Sequence, residues 1–106
     1  MYSKEIVKLC ELLDEAKVPY VKVPIYDGWQ IRIGQKNEYG CVENCDMDAV
    51  CHGFSYGHAN ELLEIMGGLT EEENELDSVL GYLTAETAAK RFIWCWNHHT
   101  DIYKEQ

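Results

Sequence analysis

Residues 48 to 58 read DAVCHGFSYGH and gather more reactive side chains than any other stretch of the chain. The thiol of Cys51 adjoins the imidazole of His52, glycines 53 and 57 bracket Phe54, Ser55 and Tyr56, and a second imidazole follows at His58. Three chemistries use such groups. Zinc takes thiolates and imidazoles, and a set can be drawn from Cys41, Cys45, one of Cys51 or His52, and His58. The spacing is poor for it, because Cys-x3-Cys is uncommon and no Cys-x2-Cys knuckle occurs. A cysteine nucleophile needs a histidine within reach, yet neighbours on a strand point to opposite faces, so Cys51 and His52 diverge. His58 would reach the thiol only if the turn folds back. Third, Ser55, Tyr56, His52 and His58 around the N–H groups of a following helix would suit a nucleotide or other small anion. A structural role asks less and is preferred: Gly53 and Gly57 let a strand turn a corner, Ser55 caps local amides, and Tyr56 seals the end of the core.

Elsewhere there is no Gly-x-Ser-x-Gly elbow, phosphate loop, dinucleotide fingerprint or His-Glu-x-x-His helix. The expectation is a protein that is not an enzyme and holds no cofactor or metal. Its contact anchor is sought instead in RFIWCWNHH. On a helical wheel Trp94 falls off the apolar stripe, with Lys90 and His98 one turn to either side, the setting of a protein-contact anchor. The alternative is that Trp94 packs on its neighbours' alkyl stems or on another helix placed differently from this reading. His98 and His99 also suit the negative end of a helix dipole. A negative patch formed by Glu61, Glu64, Glu71, Glu72, Glu73, Glu75 and Asp77 would imitate DNA phosphate or, more commonly, keep a face solvated.

These residues need elements to position them. Ser3 is a helix N-cap with Tyr2 stapling onto Val7, and Ile6, Leu9, Cys10, Leu13 and Ala16 make one apolar stripe that Pro19 ends. YVKVPIYDGWQIRIG is a hairpin. A three-residue loop, Tyr26-Asp27-Gly28 with Gly28 left-handed, pairs Ile25 with Trp29, Val23 with Ile31 and Val21 with Ile33, so that the apolar faces coincide. Pro24 makes its strand an edge, and a third strand over 47–54 adds on the far side in the order 1-2-3. Leu62, Leu63, Ile65 and Met66 predict a short buried helix near 59–66, stopped by Gly67-Gly68. Thr70 and Glu73 form a capping box opening a short acidic helix or turn. The last helix runs from Thr84 to about His99 on a stripe of Ala85, Ala89, Phe92, Ile93 and Trp96.

The expected fold is therefore α+β over a single domain, residues 1–106. A three-stranded antiparallel meander carries the N- and C-terminal helices on one face and the short helices at one end. An apolar content of 46% is that of a globular chain, and a formal charge of −10 disfavours direct nucleic-acid binding. No signal peptide or membrane span is visible, and an odd count of five cysteines fits free thiols in a cytoplasmic setting.

The segment DAVCHGFSYGHANELLEIMGGLTEEENELDSVLGYLTAETAAKRF, with YDGWQI, resembles a set of small proteins of phages and prophages in gut Firmicutes. Their shared pattern is DAV-x-H, S-Y-G, LLEIMG-x-LT, a glutamate run, and D-S-V-x-G-Y/W-LTAE. Asp48, Ala49, Val50, His52, Ser55, Tyr56, Gly57, Leu62 to Gly67, Asp77, Ser78, Val79 and Gly81 fit it. Cys41, Cys45 and Cys51 lie outside it. The resemblance implies a phage accessory protein that binds a host or phage protein, as in counter-defence, and it implies no activity. The alternatives are a small-ligand binder at the 52–58 corner and a zinc-stabilised module. The oligomeric state is left open, a homodimer among the options.

Overall fold

The computed structural model describes residues 3–35, 37–39, 42 and 46–104. Helix α1 (Lys4–Glu15) starts as expected, with the Ser3 hydroxyl accepting from the Ile6 N–H. Its staple residue Tyr2 lies outside the described residues. Ile6, Leu9 and Leu13 are buried and Cys10 is half-buried. The helix stops before Pro19 is reached. Val18 N–H donates to Leu13 O and Lys17 N–H to Asp14 O, a Schellman arrangement with Lys17 left-handed at φ +60°.

One five-stranded antiparallel sheet follows, β1 (Tyr20–Ile25), β2 (Gly28–Ile33), β3 (Asp48–Cys51), β4 (Leu63–Met66) and β5 (Val79–Leu83), in the order β1-β2-β3-β4-β5. The α+β class and the start of the meander agree with the sequence, but two further strands continue it. The region expected as a short helix is a three-residue 3-10 turn, His58–Asn60, followed by β4. Leu63 and Ile65 point into the core while Glu64 points away, so the apolar run obeys the two-residue period. Helix α2 (Glu71–Leu76) has the predicted Thr70–Glu73 capping box. Helix α3 (Ala85–Asn97) ends one Schellman motif earlier than expected: Thr100 N–H donates to Cys95 O, and His99 is left-handed at φ +54°.

Helices α1 and α3 pack together on one sheet face. Ile31, Ile33, Ala49, Cys51, Leu63 and Ile65 meet Leu9, Leu13, Ala88, Ala89, Phe92 and Cys95 in a single core. Arg91 is the buried residue of α3 that an apolar stripe does not anticipate. Its guanidinium donates to Gly68 O at 3.1 Å and to both Glu73 oxygens, at 2.7 and 3.2 Å, and lies 4.8 Å from the Tyr103 ring centre. No helix among the described residues is long and apolar enough to cross a membrane.

The β1–β2 register departs from the expected one. The loop has two residues, Tyr26 and Asp27, and pairs Ile25 with Gly28, Val23 with Gln30 and Val21 with Arg32. Val21, Val23 and Ile25 therefore share a face with Gln30 and Arg32, opposite Ile31 and Ile33. Gly28 is required for close approach rather than for a left-handed turn. A Cβ there would stand 1.8 Å from the Cys51 carbonyl oxygen.

Candidate functional site

In a meander the ends of β1, β3 and β5 and the starts of β2 and β4 meet at one end of the sheet. That end carries four exposed rings: Tyr26 (75% exposed), Phe54 (79%), Tyr56 (55%) and Tyr82 (64%). Burying one such ring removes a large apolar area from water, so four at one end of the sheet stand out from single scattered exposures.

Tyr26 sits first in the two-residue loop, where the right-handed twist of the flanking strands demands a positive φ, and it takes +52°. Its ring centre lies 5.0 Å from that of His52 and 5.2 Å, edge-on, from that of Phe54. The neighbouring Asp27 carboxylate accepts the Gly53 N–H at 2.6 Å, which ties the first turn to the second. That hydrogen bond holds its carboxyl below the usual carboxylate range.

Tyr82 is presented by a bulge. The register jumps from Leu63↔Leu83 to Ile65↔Leu80, so Gly81 and Tyr82 together oppose Glu64. Tyr82 takes φ +61°, and its N–H donates to Tyr56 O at 3.4 Å. Only glycine fits at position 81, because a Cβ there would lie 2.3 Å from the Tyr56 Cβ. Glu64 completes the frame by accepting the Tyr56 N–H at 2.8 Å.

The left-handed region costs a residue with a side chain roughly 1–2 kcal/mol. Among the described residues, five that are not glycine take it: Lys17, Tyr26, Glu61, Tyr82 and His99. Lys17 and His99 are helix stops. The other three all belong to this end of the sheet, and two of them, Tyr26 and Tyr82, are among its three exposed tyrosines.

The polar residues of the 52–58 corner serve one another. Ser55 is buried, accepts the His52 N–H at 3.0 Å and donates to His52 O at 2.9 Å. Phe54 N–H donates to His52 Nδ1 at 3.1 Å, and His58 Nδ1 lies 2.7 Å from Ser55 O. The following helix that was to offer amides to an anion does not form. In its place stands the three-residue 3-10 turn, preceded by left-handed Gly57. The corner is thus a scaffold, and it holds Phe54 and Tyr56 outward.

The strand expected over 47–54 covers only Asp48–Cys51, so His52 stands in the turn beyond it and strand alternation does not set its direction. Cys51 is in the core, where burial pushes its thiol pKa up, whereas His52, also buried, packs against the exposed ring of Tyr26. Cys41 and Cys45 of the zinc set lie outside the described residues. Among the described residues no three of His, Cys, Asp and Glu group as metal ligands.

Trp94 is half-buried rather than an exposed anchor. The chain turns back after α3, with Tyr103 N–H donating to Leu69 O at 2.8 Å, and the Tyr103 ring meets the indole edge-on at 5.7 Å. His98 stacks on the indole at 3.9 Å, and Lys90 is exposed. Trp94 therefore supports the C-terminal segment. A helical wheel sees one helix and not the segment folded over it.

Of the predicted site residues, the structure brings Tyr56, Ser55, His52 and His58 together in one loop and leaves Trp94 and Lys90 on α3 and His98 at its C-cap. The sequence reading does not single out Tyr26, Phe54 or Tyr82. Their signal is topological: Tyr26 follows β1, Phe54 lies in the loop after β3 and Tyr82 is near the end of β5, and alternate connections of a meander lie at the same end. Comparison with protein-family models, curated proteins and solved structures gives no match.

Proposed function

We propose that the protein is a non-catalytic binding protein that docks a host or phage protein through the row of rings at this end of the sheet. The observation that carries the reading is that Tyr26 and Tyr82 are exposed yet held on left-handed backbone. A fold that gains little burial from two rings, and sets both where glycine is easier, is arranged for something the rings meet outside. Tyrosine and phenylalanine supply large, rigid contact area at small conformational entropy cost. The phage resemblance supports a host or phage partner in the bacterial cytoplasm.

Site-specific crosslinking tests it. A photoreactive phenylalanine at position 54 is expected to capture a second protein in cells, while the same group at Glu75 on α2 captures none. Equal capture at both positions, or none at 54, would remove the reading. Capture of another copy of this chain at position 54 would replace the foreign partner with self-association.

A further inference from the structure

We infer that the partner presents a cationic side chain, arginine or lysine, to the rings at the turn end; this rests on the binding reading above. Tyrosine faces carry negative electrostatic potential, and a cation over such a face is attracted, more strongly with a carboxylate alongside. Asp27 adjoins Tyr26, Glu64 holds Tyr56, and exposed Glu61 closes the 3-10 turn of the same loop. The start of α1 brings one cation to this end, Lys4, next to Ser3, whose hydroxyl donates to Glu61 O; the loop and its flanking strands, β3 and β4, carry acids alone. Residues 37–89, which supply β3, β4, α2, β5 and the loop between β3 and β4, contain no lysine or arginine.

Among the described residues the chain already makes this contact twice. Lys22 Nζ sits 4.5 Å from the Trp29 ring centre, and the Arg91 guanidinium sits over Tyr103. Lys8 is paired with Glu86 and Arg91 with Glu73. A partner's cation would find rings and carboxylates without displacing these pairs. A second copy would bring another charge of −10, and nucleic acid would bring phosphates, so both meet repulsion over the acidic half of the surface.

The test titrates the intact, isotope-labelled protein with two octapeptides, one alternating glycine and arginine, the other with citrulline replacing every arginine. The arginine peptide is expected to shift the amide resonances of Gly53, Phe54, Tyr56 and Tyr82, to bind at least tenfold more tightly than the citrulline peptide, and to weaken with added salt. Y26G/Y82G is expected to lose that binding, and E71Q/E72Q/E75Q on α2 to keep it. Shifts centred on α2, or loss of binding in the α2 variant, would show general acidity at work and overturn the inference. Equal affinity of the two peptides at the turn end would also overturn it while leaving the binding reading intact. Absence of shifts at the turn end, with crosslinking at position 54 retained, again removes only the cationic requirement; absence of both removes the binding reading as well.

Discussion

The two ends of the sheet treat difficult groups in opposite ways. At the end where α2 and the C-terminal segment meet α3, a buried cation is saturated: Arg91 is shared among Gly68 O, Glu73 and the Tyr103 ring. At the turn end, Tyr26 and Tyr82 carry backbone strain and leave their rings in solvent. The first pattern is how a fold holds itself together. The second only makes sense if the rings have another use, and it separates residues that should matter for stability from those that should matter for binding.

The largest expected effect lies at the saturated end. Arg91→Ala removes the partner of Glu73 and leaves Gly68 O unsatisfied, so it should cost about 3 kcal/mol in urea denaturation. Crosslinking at position 54 should be unchanged where the variant is still folded. A loss below about 1 kcal/mol would mean that α2 is not clamped through this contact. Acid should act at the same place. The Arg91 hydrogen bond, above all, lowers the Glu73 pKa. The stability from this pair is then full above the unfolded carboxylate pKa and is lost as pH falls through the lower folded value. Glu73→Gln should flatten that part of the acid-unfolding curve.

Next come the tyrosines. Tyr26→Gly and Tyr82→Gly each relieve a left-handed side-chain residue while adding freedom to the unfolded chain, for a net gain of about 0.5–1 kcal/mol apiece. Both should abolish crosslinking at position 54. By contrast, Lys17→Gly and His99→Gly, at the two helix stops, should stabilise by about 0.5–1 kcal/mol and leave binding as it was. Glycine should therefore stabilise all four sites and disturb binding at two.

The smallest effect concerns Asp48, whose carboxyl accepts from Gln30 Nε2 at 2.9 Å. Burial raises its pKa. Ionised Asp48 is thus a cost at neutral pH, removed as pH falls through the raised value towards the unfolded one. Asp48→Asn keeps an acceptor for Gln30 and should add less than about 1 kcal/mol at pH 7, with the gain vanishing in acid.

How far the sequence reaches is clear from where its reading stops. Ser3, Thr70 and Thr84 mark helix starts through their own hydroxyls, and those elements appear as read. Residues 62–66 carry an apolar run too short to separate a 3.6-residue period from a two-residue one, and the flanking glycines fit either. β5 was invisible because Gly81 and Tyr82 form a bulge that breaks the alternation in VLGYL. The expected hairpin register requires Val21, Val23 and Ile25 to face Ile31 and Ile33, and the structure departs from it. An edge strand satisfies those residues with Gln30 and Arg32 instead, and the decisive contact, Gly28 under the Cys51 carbonyl, is 23 residues away in sequence. At the site, the corner's local chemistry was legible in Ser55 and the glycines. The convergence of Tyr26, Phe54 and Tyr82 was not, because it depends on how many strands the meander has.

Equilibrium unfolding of Y26G/Y82G in urea bears most directly on the claim that these rings are kept for contact and not for the fold. The double variant should be more stable than the parent by about 1–2 kcal/mol with an unchanged slope. A double variant less stable than the parent would show that the tyrosines hold the sheet end together, and the case for a docking surface there would collapse.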